Sequence, residues 1–211
     1  GFLDGEKHYL QFTIVNAAAG MFVDSSAQSF IDRMRIEANG VVVEEINSYG
    51  LYASIQQTYN SDLSKVFKNA TESGAGQLEI KEAAAAGTIT KAEVGSLGEG
   101  FTATHSKVFC IQLESGLLKN HHKKALPDGL VELDIILTLA GNNQAVIAAT
   151  GNDPTWTLTD PALFAPVYKI ENADVMNAYR QTVASEGVMW SGISAKTYIN
   201  SVANSAGTKS L

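Results

Sequence analysis

Four histidines, one cysteine and a scatter of serines and carboxylates are the side chains here that could do chemistry, and their spacing decides which chemistry is open to them. His121 and His122 invite a metal, but adjacent residues point in different directions, and Lys123 and Lys124 would repel a cation. A solvated basic loop running from Lys119 is expected instead, with contact to an acidic neighbouring subunit as a second reading. A cupin centre brings two or three His and a Glu to one ion, and His8, His105, His121 and His122 lack the close spacing this needs. Glu44 and Glu45 supply carboxylates with no partner arranged for acid and base work, so both read as surface residues. Ser115-Gly116, Ser191-Gly192 and Ser194 lack the flanking glycines of a nucleophile elbow. Gly95, Gly98 and Gly100 are not followed by the Lys-Ser or Lys-Thr pair of a phosphate loop. Asn69-Ala70-Thr71 matches a glycosylation acceptor, but no secretory signal accompanies it. Cys110 lies between Phe109 and Ile111 as a small buried hydrophobe and has no second cysteine to pair with. The expectation is a protein with no catalytic residue, no metal ligand and no cofactor.

Composition points the same way. A chain of 211 residues with 45% hydrophobic and 18% charged residues is a folded protein with a rather uncharged surface, much of it open to partners. Its formal net charge of -7 and pI near 5.1 argue against a nucleic-acid footprint, which needs clustered Lys and Arg. No apolar run approaches the roughly 18 residues of a spanning helix, so a soluble chain is expected. Gly1 and Leu211 read as edges of a longer protein, because neither an initiating Met nor a signal peptide is present.

The elements that carry these residues read as mostly β. Leu10, Phe12 and Ile14 alternate with Gln11 and Thr13, predicting a half-buried strand over His8 to Asn16, and Met21 to Val23 forms a short second piece. Phe30, Met34 and Ile36 alternate against Arg33, Arg35 and Glu37 before Asn39-Gly40 and Val41 to Val43, which predicts a hairpin with a type I′ turn. The period then lengthens, and Tyr52, Ile55, Tyr59, Leu63 and Val66 predict one face of a helix near residues 48–67, capped by Asn47 or Ser48. Lys68 to Gly100 is poor in large apolar residues and reads as a long surface loop, with a weak hairpin around Ile80, Ile89 and Val94. Val131, Leu133, Ile135, Leu137 and Leu139 form a fully buried aliphatic row, opposite a partly wet row that includes Glu132, Asp134 and Thr138. Ala145 to Ala149 follows as a strand after Gly141-Asn142-Asn143. Thr150 to Pro166 holds three prolines and reads as an ordered loop pinned by Trp156. Val167 to Ile170 and Ala173 to Tyr179 resume strand character, and Val188 to Trp190 and Thr197 to Val202 are strand candidates without partners.

Assembled in order, these elements resemble a known family. Tyr9 to Ile14, then Ser29 to Ile36 with Asn39-Gly40 and Glu44-Glu45-Ile46, then Tyr49 opening a helix, resemble the first jelly roll of the double-jelly-roll major capsid proteins of icosahedral, mostly tailless DNA viruses and bacteriophages. Phe109 to Leu118 leading to Leu126-Pro127 and Leu133 to Leu139 looks like that family's passage from short strand through proline turn to long aliphatic strand. Tyr168 to Val175 is similar to the strand that closes the first barrel. The resemblance spans about residues 9–179 and is a pattern, without a diagnostic motif. It implies an all-β fold, an eight-stranded jelly-roll sandwich with one covering helix and long loops. Residues 1–180 would be the jelly-roll domain, and 181–211 a linker with the start of a second jelly roll or a C-terminal arm. Two complete jelly rolls need considerably more chain, so a fragment containing the first one is expected.

What the resemblance implies for function is self-assembly. The partners would be copies of the chain itself, as a homotrimer and then a capsid lattice, with minor capsid or penton proteins, an internal membrane beneath the shell, and no direct nucleic-acid contact. The location would be the virion, after assembly in a host cell. Trp156, Leu163 and Phe164 are the exposed apolar candidates for the subunit boundary, because interface cores favour aromatics and exclude charge. The alternative is a carbohydrate-binding or adhesive β-sandwich, in which Trp156, Trp190 and tyrosines would stack on sugars.

Overall fold

The computed structural model describes residues 2–17, 21–60, 97–101, 104–119, 126–127, 132–148, 155–187 and 195–196. The chain is predominantly β, with 46% strand and 28% helix among the described residues and every strand pairing antiparallel. In chain order the elements are β1 (Phe2–Leu3), β2 (Tyr9–Asn16), β3 (Met21–Asp24), β4 (Ile31–Ala38), β5 (Val41–Asn47) and α1 (Tyr49–Asn60). They continue with β6 (Leu97–Phe101), β7 (Ser106–Ile111), β8 (Leu126–Pro127), β9 (Leu133–Leu139), α2 (Asn142–Ala145) and β10 (Val146–Ala148). The last are β11 (Trp156–Phe164), β12 (Val167–Tyr168) and α3 (Ala173–Glu186). Short 3₁₀ turns at Gly5–Lys7 and Ala27–Phe30 lead into β2 and β4.

Among the described residues the strands form four three-stranded sheets, in the orders β12-β1-β8, β11-β2-β7, β10-β3-β6 and β5-β4-β9. Each has one of the first four strands at its centre. The pairing is nested: β1 takes β8, β2 takes β7, β3 takes β6 and β4 takes β5, while β12, β11, β10 and β9 line the other sides in the same descending order. Of these ladders, only β4 with β5 joins consecutive strands. Its two-residue turn has positive φ at both Asn39 (48°) and Gly40 (76°), as a type I′ hairpin demands.

The inward rows of the β2 and β4 sheets meet in one core. Leu10, Phe12 and Ile14 from β2, Phe109 and Ile111 from β7, Ile31, Met34 and Ile36 from β4 and Ile46 from β5 are all buried. Phe12, Phe30 and Phe109 pack as a triad with centroids 6.0 to 6.4 Å apart, and Trp156 meets Phe30 edge to face at 4.7 Å. Offset and edge-on packing of this kind adds about 1 kcal/mol per pair beyond burial. On β9 the alternation holds, but Leu133, Ile135 and Leu137 are only partly buried and Leu139 is 46% exposed, so the row is not the fully buried one expected. Among the described residues β9 pairs only with β4, which leaves it at a sheet edge.

Other expectations also change. Thr150 to Pro166 is not a loop in its described part, because Trp156–Phe164 is a strand paired with β2 along its length. Its proline misled the reading: Pro161 sits where the register shifts between Thr159 and Ala162, beside Asp160 at φ 53°, and a bulge tolerates a residue that cannot donate to the ladder. Ala173 to Tyr179 is helical, so β12 supplies only Val167–Tyr168 of the segment likened to a closing strand. The Asn172 side chain starts α3 by accepting from the N–H groups of Asp174 and Val175, and Met176, Tyr179 and Val183 then share its less exposed face. The covering helix runs Tyr49–Asn60 and buries Tyr49 and Ala53, with Tyr52 partly covered, whereas Ile55 is 47% exposed. Gly50 sets that rotation: a Cβ there would lie 2.9 Å from the Ser29 Cα, so the helix start touches the 3₁₀ backbone directly. At the end of the long polar stretch, Leu97–Phe101 is a strand pairing with β3. Tyr59 beyond its backbone, Leu63, Val66, Asn69, Ile80, Ile89, Val94, His121, His122 and the strand candidates after Gly187 lie outside the described residues.

Candidate functional site

The chemistry-bearing side chains that the fold does bring together surround one short segment, Gln112 to Lys119, which follows β7. A segment leaving a sheet edge presents backbone N–H groups that must find acceptors when buried. Here the side chains of His8, Tyr49 and Glu44 supply them, together with Ser115 of the segment itself. The Leu113 N–H donates to His8 Nε2 at 3.0 Å, and the Glu114 N–H to the Tyr49 hydroxyl at 2.7 Å. Gly116 and Leu117 donate to the Glu44 carboxylate at 2.8 and 3.2 Å, and the Ser115 hydroxyl donates to the same carboxylate at 2.5 Å. Ser115 Oγ in turn accepts from the Leu117 and Leu118 N–H groups, and the Ser115 carbonyl accepts from Lys119 N–H, closing one turn. Clustered backbone donors at the start of such a turn suit an anion, and the anion is Glu44.

The support continues one layer out. Tyr49 donates to Gln28 Oε1 at 2.9 Å, and Gln28 Nε2 donates to the Gln112 carbonyl at 2.8 Å. The His8 Nδ1 faces the Gly5 carbonyl, Gln112 Nε2 donates to the Glu6 carbonyl, and Lys119 pairs with Glu114. Gly5 lies so close to this segment that an added Cβ would sit 2.7 Å from the Leu118 carbonyl oxygen. Burial pushes the His8 imidazole below its ordinary value, with the positive Lys119 adding to the effect. Burial likewise raises the Tyr49 phenol well above its own.

A Ser beside a carboxylate suggests a nucleophile and its base, but this pair is arranged for holding. A nucleophilic oxygen needs a free lone pair and room for an electrophile, whereas Ser115 Oγ already accepts two N–H groups and is 3% exposed. Glu44, 5% exposed, is occupied by three donors. The arrangement is a clamp that fixes the segment after β7 against β5 and α1.

Glu44 is therefore not the surface residue expected from its sequence neighbours. Ile46 faces the core, and residues two apart on a strand share a face, so Glu44 had to point inward while Glu45 pointed out. That parity was readable. Its partner Ser115 was not, because 71 residues separate them. His8 is buried in the clamp, and His105 is exposed at the start of β7. Cys110 is half-buried, with its Sγ 4.0 Å from Gln11 Oε1.

The three apolar interface candidates separate. Leu163 and Phe164 are 46% and 43% exposed, and the Phe164 ring stacks on Tyr9 at 4.9 Å with a 15° interplanar angle. Trp156, at 9%, belongs to the core, because it opens β11 on the inward side over Phe30. Tyr9, Val167 and Tyr168 are exposed too, and Tyr168 bonds Asp4 and Lys7.

Elsewhere, a cleft of about 230 Å³ is lined by Asp24, Asp32, Ser25, Ser54 and the start of α1. Among the described residues, no three His, Cys, Asp or Glu side chains converge as a metal site, and no helix is long and apolar enough to cross a membrane. No protein-family model matches the chain, and no curated protein matches it.

Proposed function

We propose that the chain is a structural capsid protein that self-assembles through trimers into an icosahedral virion shell, and that its sheets form a jelly roll. One observation carries this reading: among the described strands, β1 to β8 pair first with eighth, second with seventh, third with sixth and fourth with fifth. That is the pairing of one long antiparallel hairpin rolled up on itself, which is how an eight-stranded jelly roll is built. Rolling covers most strand edges and leaves a stiff wall whose loops can vary. The four later strands add flanks to that wall. Leu163 and Phe164, with the Tyr9 ring beside them, offer the apolar surface for contact between copies. Closed rotational symmetry would then repeat that contact.

The stacked and exposed rings of Tyr9 and Phe164 also favour a second reading, a carbohydrate-binding or adhesive β-sandwich. Native mass combined with electron microscopy separates the two. Trimers or closed shells are expected from a capsid protein. A monodisperse monomer that never assembles, and binds a sugar saturably through this ring pair, overturns it in favour of the alternative.

A further inference from the structure

The clamp contains a titratable group whose role the assembly reading does not touch. His8 is 2% exposed and uses both ring nitrogens: Nδ1 faces the Gly5 carbonyl, an acceptor, and Nε2 faces the Leu113 N–H, a donor. Only the neutral imidazole with its proton on Nδ1 satisfies both contacts. A second proton would place an N–H at Nε2 directly against the Leu113 N–H. The bond would be lost, a donor would be left unpaired, and a positive charge would be buried near Lys119.

We propose that His8 is an acid-operated latch between the N-terminal turn at Gly5–Lys7 and the segment from Gln112 to Lys119, closed when the imidazole is neutral and released when it is protonated. Release has a defined path. The Gly5 backbone packs on the Leu118 carbonyl, so the two segments cannot separate in part without losing both the His8 contact and the Gln112 bond to Glu6. The Glu44 and Tyr49 bonds hold the same segment to β5 and α1, so the movement belongs to the N-terminal side.

Charged and titratable groups around the latch come from each element packed on it. Asp4, Glu6 and Lys7 belong to the N-terminal turn, Glu114 and Lys119 to the latched segment, Glu44 to β5 and Tyr49 to α1. Lys7 is tied to Asp4 and Tyr168, and Lys119 to Glu114, while His8 is the one imidazole among these groups, the side chain whose ordinary value lies closest to neutrality.

The test is amide hydrogen exchange on the full 211-residue chain between pH 7.5 and 5, corrected for intrinsic rates. Protection of the Leu113 amide should fall as pH drops below the ordinary histidine value, by up to about tenfold per pH unit for one proton. The Gly116 and Leu117 amides, held by Glu44, should keep theirs. His8→Gln, which cannot titrate, should show a flat profile, whereas Glu114→Gln should keep the wild-type slope. If His8→Gln does not fold, the nitrogen shifts of the wild-type ring decide: an unprotonated Nε2 at pH 7.5 whose titration coincides with loss of Leu113 protection supports the latch. Ring titration without any change at Leu113, or an unchanged slope in His8→Gln, overturns it.

Discussion

Glu44 shows how much one inward side chain can hold. Three donors converge on its carboxylate, and replacing it by Ala would leave the Ser115 hydroxyl and the Gly116 N–H without their acceptor, while the Leu117 N–H would keep only Ser115 Oγ. Glu44→Ala is expected to cost about 3 kcal/mol, the range for removing one member of a buried charge-assisted network, read as a lower urea midpoint. Tyr49 makes a different kind of contribution, since burial raises its phenol well above the ordinary value. A raised folded value means that the protonated phenol is favoured by folding. Its stability is fully present below about pH 10, the unfolded value, and is lost as pH rises towards the folded one. Unfolding midpoints should therefore fall above pH 10 in the wild type and less steeply in Tyr49→Phe. At neutral pH that variant should already be less stable by about 1 kcal/mol, because Gln28 Oε1 loses its donor and the Glu114 N–H its acceptor.

Among the elements, those whose period stands alone were legible. β2, the β4–β5 hairpin and the alternation of β9 follow from apolar spacing and from the positive φ that Asn39-Gly40 accepts. β11 was hidden by Pro161, which breaks the pattern where a bulge absorbs it. In α3 the run Ala173, Val175, Met176 and Tyr179 carries both periods, and only the Asn172 cap decides between them. That helix buries no residue fully, and a ring contact between Phe2 and Tyr179 at 5.1 Å ties it to β1. Such a helix leans on its cap. Asn172→Ala should cost about 1 kcal/mol of local helix stability, seen as faster amide exchange in α3 while the global unfolding midpoint hardly moves. The clamp was not legible, because its bonds join residues as far apart as His8 and Leu113, and no local pattern pairs them.

Taken whole, the molecule keeps its aromatic core and its exposed rings apart, and paired substitutions expose that division. Trp156→Ala removes a ring from the cluster around Phe30 and should cost about 4 kcal/mol in unfolding experiments. Phe164→Glu, at an exposed site, should shift stability by no more than about 1 kcal/mol while reducing the mass of any assembly measured under native conditions. The nested ladders also carry a consequence for synthesis. Phe2 takes Tyr168 as a register partner, and among the described residues the strand partners of β1 to β3 all lie at Leu97 or beyond. At about 10 residues per second, a ribosome would finish the middle strands of three sheets roughly 7 s before the first of these described flanks is made. Until then those strands offer both edges to whatever is nearby, and newly made copies of the same chain emerging on one messenger are the neighbours most able to mispair with them.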